Sequence, residues 1–138
     1  MTACVLDASV TLSWIFEDEV IPAGEEIFRQ AYEHGVLVPA IWPVEVANVL
    51  LQAGKRGRID DARLTEWLVI LTNIPTTMED RPPRDTFETI VPLARAQGLT
   101  ACDASYLDLA MRHKLPLATK DAALRTAAQR VGVDVLPA

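Results

Sequence analysis

Short, uninterrupted apolar runs separated by helical segments most constrain the fold of this chain. Residues 3–6 (ACVL) and 36–38 (VLV) lack the alternation of apolar and polar side chains that marks a strand with one solvated face. Strands of this kind are typical of a parallel sheet that helices cover on both sides. The pattern predicts strands over residues 3–6, 36–38, 75–78, 115–119 and 133–136.

Helical segments fill the intervals between these strands. Pro43 lies in the first turn of one segment, where proline is tolerated, and Gly35 and Gly98 follow the ends of two others. We predict helices over residues 7–16, 22–33, 43–54, 60–73, 85–97, 100–114 and 121–131. The alternation of strands and helices predicts an α/β fold with a short, mostly parallel sheet of about five strands.

Length and composition limit the classes of protein to consider. We expect one domain over residues 1–138, because no linker or repeat divides the chain. A net charge of −6 disfavours a generic basic nucleic-acid binder and leaves an acidic metal site open. Cys4 and Cys102 are too far apart in sequence to suggest a disulfide framework. Neither a signal peptide nor a membrane span is visible, so we expect a cytoplasmic protein.

Four acidic residues fall where a ligand site is expected in such a sheet. Asp7 and Asp121 follow the first and fourth strands, and ligands bind beyond the carboxyl ends of strands. Asp103 begins the apolar stripe of its helix and should face inward, whereas Asp108 falls on the polar side and should be solvated. Glu45 opens a narrow polar stripe on an otherwise apolar helix. Taken singly, Asp7, Asp103 and Asp121 also fit helix caps, and Glu45 fits a solvated helix face.

The four acids taken together are more informative than any one of them. Carboxylates brought together repel and raise one another's pKa, and a hard divalent cation such as Mg²⁺ or Mn²⁺ relieves that repulsion. Such a site suits phosphoryl chemistry. The four acids account for −4 of the −6, which leaves −2, so the acidic balance does not exclude an RNA substrate.

At this point the sequence resembles a PIN-domain ribonuclease, specifically a small VapC-type toxin of a type II toxin–antitoxin system. The resemblance covers nearly the whole chain. It rests on the segments Val5-Leu6-Asp7-Ala8-Ser9, Glu45-Val46-Ala47-Asn48, Asp103-Ala104-Ser105-Tyr106-Leu107 and Thr119-Lys120-Asp121. It implies a Rossmann-like, three-layer α/β/α domain with an acidic pocket for Mg²⁺ or Mn²⁺.

The resemblance also implies roles for single residues. Asp7 and Asp103 would be the principal metal ligands and catalytic residues, and Glu45 and Asp121 would complete the pocket directly or through water. The residues that would orient ligands or waters are Ser9, Asn48 and Thr119. A metal-activated water would then attack an RNA phosphodiester. The family further implies a homodimer and a tightly bound antitoxin that blocks the site.

Other classes share parts of this pattern. Asp7-Ala8-Ser9-Val10-Thr11 approximates the D-x-S-x-S motif of metal-dependent binding modules, which bind a partner's acid through the metal and cleave nothing. A phosphoaspartate receiver would need an acceptor Asp after a central strand, and residues 75–78 are followed only by Glu79 and Asp80. A haloacid-type phosphatase would need an Asp where Ser9 stands.

Basic residues offer candidate contacts to an RNA backbone. Gly54-Lys55-Arg56-Gly57 joins two helices as the GXXG loop of KH domains does, although a helix end followed by a basic turn is the preferred interpretation. Lys55, Arg56 and Arg58 form the densest basic cluster, and Lys120 lies beside Asp121. We predict that these four residues are available to RNA phosphates.

Overall fold

Five parallel strands form one sheet in the order β3-β2-β1-β4-β5. The computed structural model describes residues 1–138. The strands are β1 (Cys4–Leu6), β2 (Val36–Pro39), β3 (Thr76–Glu79), β4 (Leu117–Ala118) and β5 (Val135–Leu136). Cys4 pairs with Val36 and Val5 with Leu117, so β1 lies at the centre. The predicted α/β fold is confirmed, with a sheet that is parallel throughout.

Helices connect the strands, as parallel pairing requires. They are α1 (Ala8–Ile15), α2 (Gly24–His34), α3 (Trp42–Lys55), α4 (Asp61–Asn73), α5 (Pro83–Asp85), α6 (Val91–Gln97), α7 (Ala101–His113) and α8 (Ala122–Arg130). A 3₁₀ turn at Glu17–Glu19 follows α1, and a π turn at Thr86–Ile90 joins α5 to α6. None of these helices has the length and apolar character needed to cross a bilayer.

The layers follow from burial. Successive strand residues point to opposite faces of a sheet, and all three residues of β1 are buried, so both faces are covered. Helix α1 packs on α2 and α3, and α3 packs on α4. Helix α7 packs on β1, β2 and β4, with α6 and α8 beside it. Tyr106 and Leu107 of α7 are completely buried in the core that results.

Element ends differ from the prediction where local geometry intervenes. The second helix begins at Gly24 instead of residue 22, because Ala23 takes a left-handed conformation with φ of 60° and breaks the helical path after Pro22. Strand β4 has two residues where five were expected, since only Leu117 and Ala118 find ladder partners on both sides. Strand β3 lies at the sheet edge, and its first three residues are exposed.

Backbone geometry places β2 tightly against the start of β3. Gly35 ends α2 with a φ of +82°, which side-chain-bearing residues rarely adopt. A Cβ atom at this position would lie 2.9 Å from the carbonyl oxygen of Pro75. Glycine therefore lets the chain turn directly from α2 into β2, which leads on to the carboxyl end of the sheet.

The three tryptophans divide between core and surface. Trp42 is buried, and its Nε1 donates to Thr11 Oγ1 over 3.1 Å. Trp14 and Trp67 are half-buried and meet the ring of Phe28 edge-on, with centroid distances of 5.1 and 6.4 Å.

Candidate active site

The acids predicted from the sequence lie at the carboxyl edge of the sheet, where β1, β2 and β4 end. Asp7 directly follows β1, and Asp121 caps α8 after β4. Glu45 lies in the first turn of α3, just after β2, and Asp103 in the first turn of α7. The charges of Asp7, Glu45 and Asp121 each raise the pKa of Asp103, which shows that the four carboxylates lie within electrostatic range of one another. The fold thus brings all four together.

Asp7 is the most enclosed of the four acids. It is 6% exposed, and its Oδ2 accepts hydrogen bonds from Ser9 Oγ and Thr119 Oγ1, each 2.7 Å long. Burial raises the pKa of Asp7 above its usual value; the two hydroxyls oppose that shift, and the charge of Asp121 adds to it. Asp7 makes no side-chain capping bond to α1, and a backbone hydrogen bond from Ala8 also lowers its pKa.

Thr119 connects two of the acids. Its fully buried hydroxyl donates to Asp7 and accepts from the backbone N–H of Asp121 over 3.1 Å. Ser9 Oγ in turn accepts from the backbone N–H of Lys120 over 3.1 Å. The turn after β4 is thereby fastened to the turn after β1, which fixes Asp7 relative to Asp121.

Glu45 has a partner that the sequence analysis did not assign to the site. Tyr106 Oη donates to Glu45 Oε1 over 2.6 Å. Burial raises the pKa of Glu45, the tyrosine hydroxyl lowers it, and the charge of Asp7 raises it further. Burial followed by the bond to Glu45 raises the pKa of Tyr106, so the hydroxyl keeps its proton and remains a donor. The signal was available, because Tyr106 follows Asp103 by one helical turn on the same face.

Asp103 and Asp121 combine helix capping with membership of the acidic group. Thr100 caps α7 by accepting from the backbone N–H of Asp103 over 3.1 Å. Burial, then the charges of Asp121, Asp7 and Glu45, raise the pKa of Asp103, and a hydrogen bond with the Thr100 side chain lowers it. Asp121 is exposed, and its Oδ1 accepts from the backbone N–H of Leu124 over 2.8 Å. Capping is therefore part of the role of Asp121.

The predicted basic contacts separate into two pairs. Arg58 binds Asp18 at 3.0 Å and Glu19 at 3.2 Å, and Lys120 Nζ lies 3.4 Å from the Glu19 carboxylate. Lys55 and Arg56 are exposed at the end of α3, ten residues beyond Glu45 and therefore about 15 Å along the helix axis from it. Only the latter pair is free of ion pairs.

Asn48 is predicted to orient a ligand, yet nothing in the chain fixes it. It lies exposed on α3 and takes no part in the hydrogen bonds that hold Ser9 and Thr119.

Asp108 corrects the sequence analysis. It is predicted to be solvated and is 5% exposed, because the segment after β3 covers that side of α7. Its Oδ2 accepts from Arg81 and, over 2.9 Å, from Arg112. Arg112 also binds Glu79, which lies 2.9 Å from His113 Nε2. Helical periodicity placed Asp108 opposite the sheet but gave no sign of the arginine that would cover it.

The four carboxylates are compatible with a hard cation that keeps part of its water shell. No group of three or more Asp, Glu, His or Cys side chains is arranged so that it could hold a metal ion. All candidate donors are carboxylates, and burial first, then the charges of the neighbouring acids, raise the pKa of Asp7, Glu45 and Asp103. Mg²⁺ commonly uses one or two carboxylates and keeps several waters. The residues thus fit a largely hydrated cation better than an enclosed four-carboxylate cage.

Comparisons with known proteins give the family and the fold of the chain. The family model described as the PIN domain matches residues 4–129. The fold is similar to the crystal structure of PAE2754 from Pyrobaculum aerophilum, with a TM-score of 0.70 and 22% identity over 98% of this chain and 91% of that one. It is also similar to the crystal structure of FitAcB from Neisseria gonorrhoeae, with a TM-score of 0.61 and 20% identity over 95% of this chain and 94% of that one. A search of curated proteins finds no match.

Proposed function

Because the chain belongs to the PIN domain family, we propose that it is a metal-dependent endoribonuclease that hydrolyses RNA phosphodiester bonds. One observation carries the proposal. A buried carboxylate, Asp7, is held at the carboxyl edge of the sheet by two hydroxyls, with three more acids in electrostatic range. Keeping such a group ionised costs stability, and perturbed acids in one site are a mark of function.

The same crowding supports a divalent cation at this edge. Asp7 and Asp103 are the proposed principal ligands of Mg²⁺ or Mn²⁺, with Glu45 and Asp121 acting directly or through water. When bound, the cation would supply Lewis acidity, which activates water for attack and offsets the negative charge of the phosphate. Like charges that raise one another's pKa in its absence would be stabilised in its presence.

The chain's own residues position these ligands. Ser9 and Thr119 hold one oxygen of Asp7, and Thr119 also fixes the backbone of Asp121. Tyr106 holds Glu45 and keeps it ionised to lower pH than burial alone would allow. Such outer partners determine ligand orientation in metal sites. A role for Asn48 rests on the resemblance alone.

RNA is the proposed substrate, since the phosphodiester is the group that such a centre attacks. Lys55 and Arg56 are exposed and unpaired and would contact the backbone at a distance from the acids. Arg58 and Lys120 would first have to leave Glu19.

The proposed biological setting follows from the resemblance to VapC-type toxins. On that basis the protein would be a cytoplasmic homodimer whose activity a cognate antitoxin blocks. Two free cysteines are in keeping with a reducing compartment. Coexpression with the product of a neighbouring small reading frame tests the partner. A stable complex that suppresses RNA cleavage is expected, and two proteins that purify separately would count against an antitoxin.

The nuclease proposal is tested by comparing wild type, Asp7→Asn and a matched control, Asp134→Asn. Asp134 is an exposed acid before β5, at the opposite edge of the sheet. Each purified protein is incubated with a pool of structured and single-stranded RNAs in Mg²⁺, in Mn²⁺ and in chelator. Binding of Mn²⁺ is measured in parallel by calorimetry. We expect discrete cleavage that requires the metal and survives Asp134→Asn but not Asp7→Asn.

Two other outcomes would count against the proposal. Metal binding that needs Asp7 but is accompanied by no cleavage would favour the metal-dependent binding module. If the protein neither binds the metal nor cleaves RNA, the four acids would have structural roles only.

A further inference from the structure

A cavity opens at the same edge of the sheet, beside the acids. Its volume is about 280 Å³. Three segments line it: the turn after β2, the end of β3 with the two residues that follow, and one face of α7 from Ala101 to Arg112. The π turn at Thr86–Ile90 closes the fourth side. Nothing in the proposed chemistry uses this cavity.

The cavity adjoins the candidate active site through two shared elements. Ile41 lines it, and the Ile41 carbonyl accepts from the backbone N–H of Glu45 over 2.9 Å. Cys102 lines it from α7 and directly precedes Asp103 in the chain. A polynucleotide with a phosphate at the acids would therefore have a neighbouring nucleotide within reach of the cavity.

The charges of the lining argue against a phosphate in the cavity. Both of its arginines are engaged: Arg81 binds Asp108 and, over 3.2 Å, Asp85, while Arg112 binds Glu79 and Asp108. Two acids and two bases line the cavity, so its formal charge is zero. A phosphate binds where a cation is free to meet it.

The rest of the lining suits a flat, neutral heterocycle. Ile41, Ile90 and Leu109 provide apolar walls. Asp80 is exposed at the mouth and stays outside the ion-pair network of Arg81 and Arg112. A free carboxylate accepts hydrogen bonds from exocyclic amino groups, as it does from cytosine N4.

We propose that this cavity binds one unpaired RNA base next to the scissile phosphate and favours a base that carries an exocyclic amino group. The inference rests on the proposed ribonuclease function and names the part of the substrate that the site would select. The volume is below that of pockets for drug-sized ligands, so it admits one base. Unpaired bases are also the part of RNA that proteins read most readily.

The first test maps cleavage sites in a random single-stranded RNA by sequencing the product ends. It compares wild type with Asp80→Asn, with Ala101→Phe and with Ala62→Phe. Ala101 is an exposed alanine in the first turn of α7 that lines the cavity, and Ala62 is an exposed alanine in the first turn of α4 that does not. Thermal denaturation establishes that each variant is folded.

We expect wild type to prefer adenine, cytosine or guanine over uracil by about fivefold to tenfold at one position beside the cut, the range of a single base-edge contact. Asp80→Asn should change the preferred base at that position, because an amide donates as well as accepts. Ala101→Phe should abolish the preference by filling the cavity. Ala62→Phe should leave the preference intact.

The second test does not depend on cleavage. Backbone amide NMR shifts of Thr86 and Ser105, which both line the cavity, are followed in chelator during titration with cytidine, adenosine, uridine or inorganic phosphate. Shifts with cytidine or adenosine that Ala101→Phe removes would support the inference. Shifts with phosphate alone, or with none of the four, would overturn it.

The two proposals fail in different ways. Cleavage whose base preference is unchanged in Asp80→Asn and in Ala101→Phe would overturn the base pocket and leave the nuclease intact. If no RNA is cleaved, the nuclease proposal fails, and the nucleoside titration still decides whether the cavity binds a base.

Discussion

Replacing Tyr106 with phenylalanine isolates a single hydrogen bond in the candidate active site. The ring is completely buried and stays in place, so the change removes one hydroxyl and leaves no large cavity. What is lost is the 2.6 Å bond to Glu45. A hydrogen bond to a charged group contributes about 1.5–3 kcal/mol. Glu45 is partly exposed, so water can replace the donor, and we expect a loss near the lower end, about 1.5 kcal/mol.

The loss should depend on pH in a defined direction. The pKa of Glu45 is raised by burial above its usual value of 4.5, and the tyrosine hydroxyl opposes that shift. Without the hydroxyl, the pKa rises further, and the ionised carboxylate costs more stability. That additional cost is present at neutral pH and shrinks as pH falls through the folded-state pKa toward 4.5. The acidic limb of the cleavage profile should move to higher pH for the same reason.

Tyr32→Phe is the matched control, because Tyr32 is the other tyrosine and is 48% exposed. Thermal and urea unfolding are measured in chelator between pH 5 and 8. For a chain of this length a loss of 1.5 kcal/mol corresponds to a melting temperature lower by about 5 °C. Equal stability of Tyr106→Phe and Tyr32→Phe across this range would refute the reasoning, as would a difference that grows toward acidic pH.

Three further changes test other parts of the structure. Asp103→Asn should abolish cleavage yet raise the melting temperature in chelator at neutral pH. The ionised Asp103 has a raised pKa and therefore costs stability at neutral pH but not near pH 4. A lower melting temperature of the variant would contradict this. Asp108→Asn should reduce the free energy of unfolding by about 2–3 kcal/mol in urea, because the Arg81 guanidinium loses its buried partner; no change would mean that solvent already satisfies it. Reversing Lys55 and Arg56 to glutamate should weaken RNA binding in a filter assay while Mn²⁺ binding is kept, and unchanged RNA affinity would remove them from the interface.

The sheet and the position of the acids could be predicted because each depends on local pattern. Continuous apolar runs such as Val36–Pro39 must be buried on both faces, and parallel pairing then brings every strand end to one edge. Asp7 and Asp121 reach that edge by following strands, and Asp103 by lying in the first turn of α7. These placements need no knowledge of tertiary contacts.

Tertiary contacts account for what the sequence did not reveal. Asp108 lies on the polar side of α7 by periodicity, and only the path of the chain after β3 brings Arg81 over it. Helical spacing places Tyr106 on the same face as Asp103, but it does not reveal that the Tyr106 hydroxyl reaches Glu45, 61 residues away in the chain. Lys120 adjoins Asp121, an acid of the candidate site, in sequence, yet the fold turns its amine to Glu19.

The acidic turn at Glu17–Glu19 bears on how strongly RNA binding responds to salt. A cation that meets an RNA phosphate releases condensed counterions, at about 0.7 per contact for single strands. Arg58 and Lys120, however, are paired with Glu19, and while they remain so they release no counterions from RNA. The logarithm of the binding constant should then fall with the logarithm of salt concentration at a slope of about −1.4, set by two free cations, instead of about −2.8 for four. The charges of Arg58 and Lys120 are thus already neutralised by a carboxylate of the same chain.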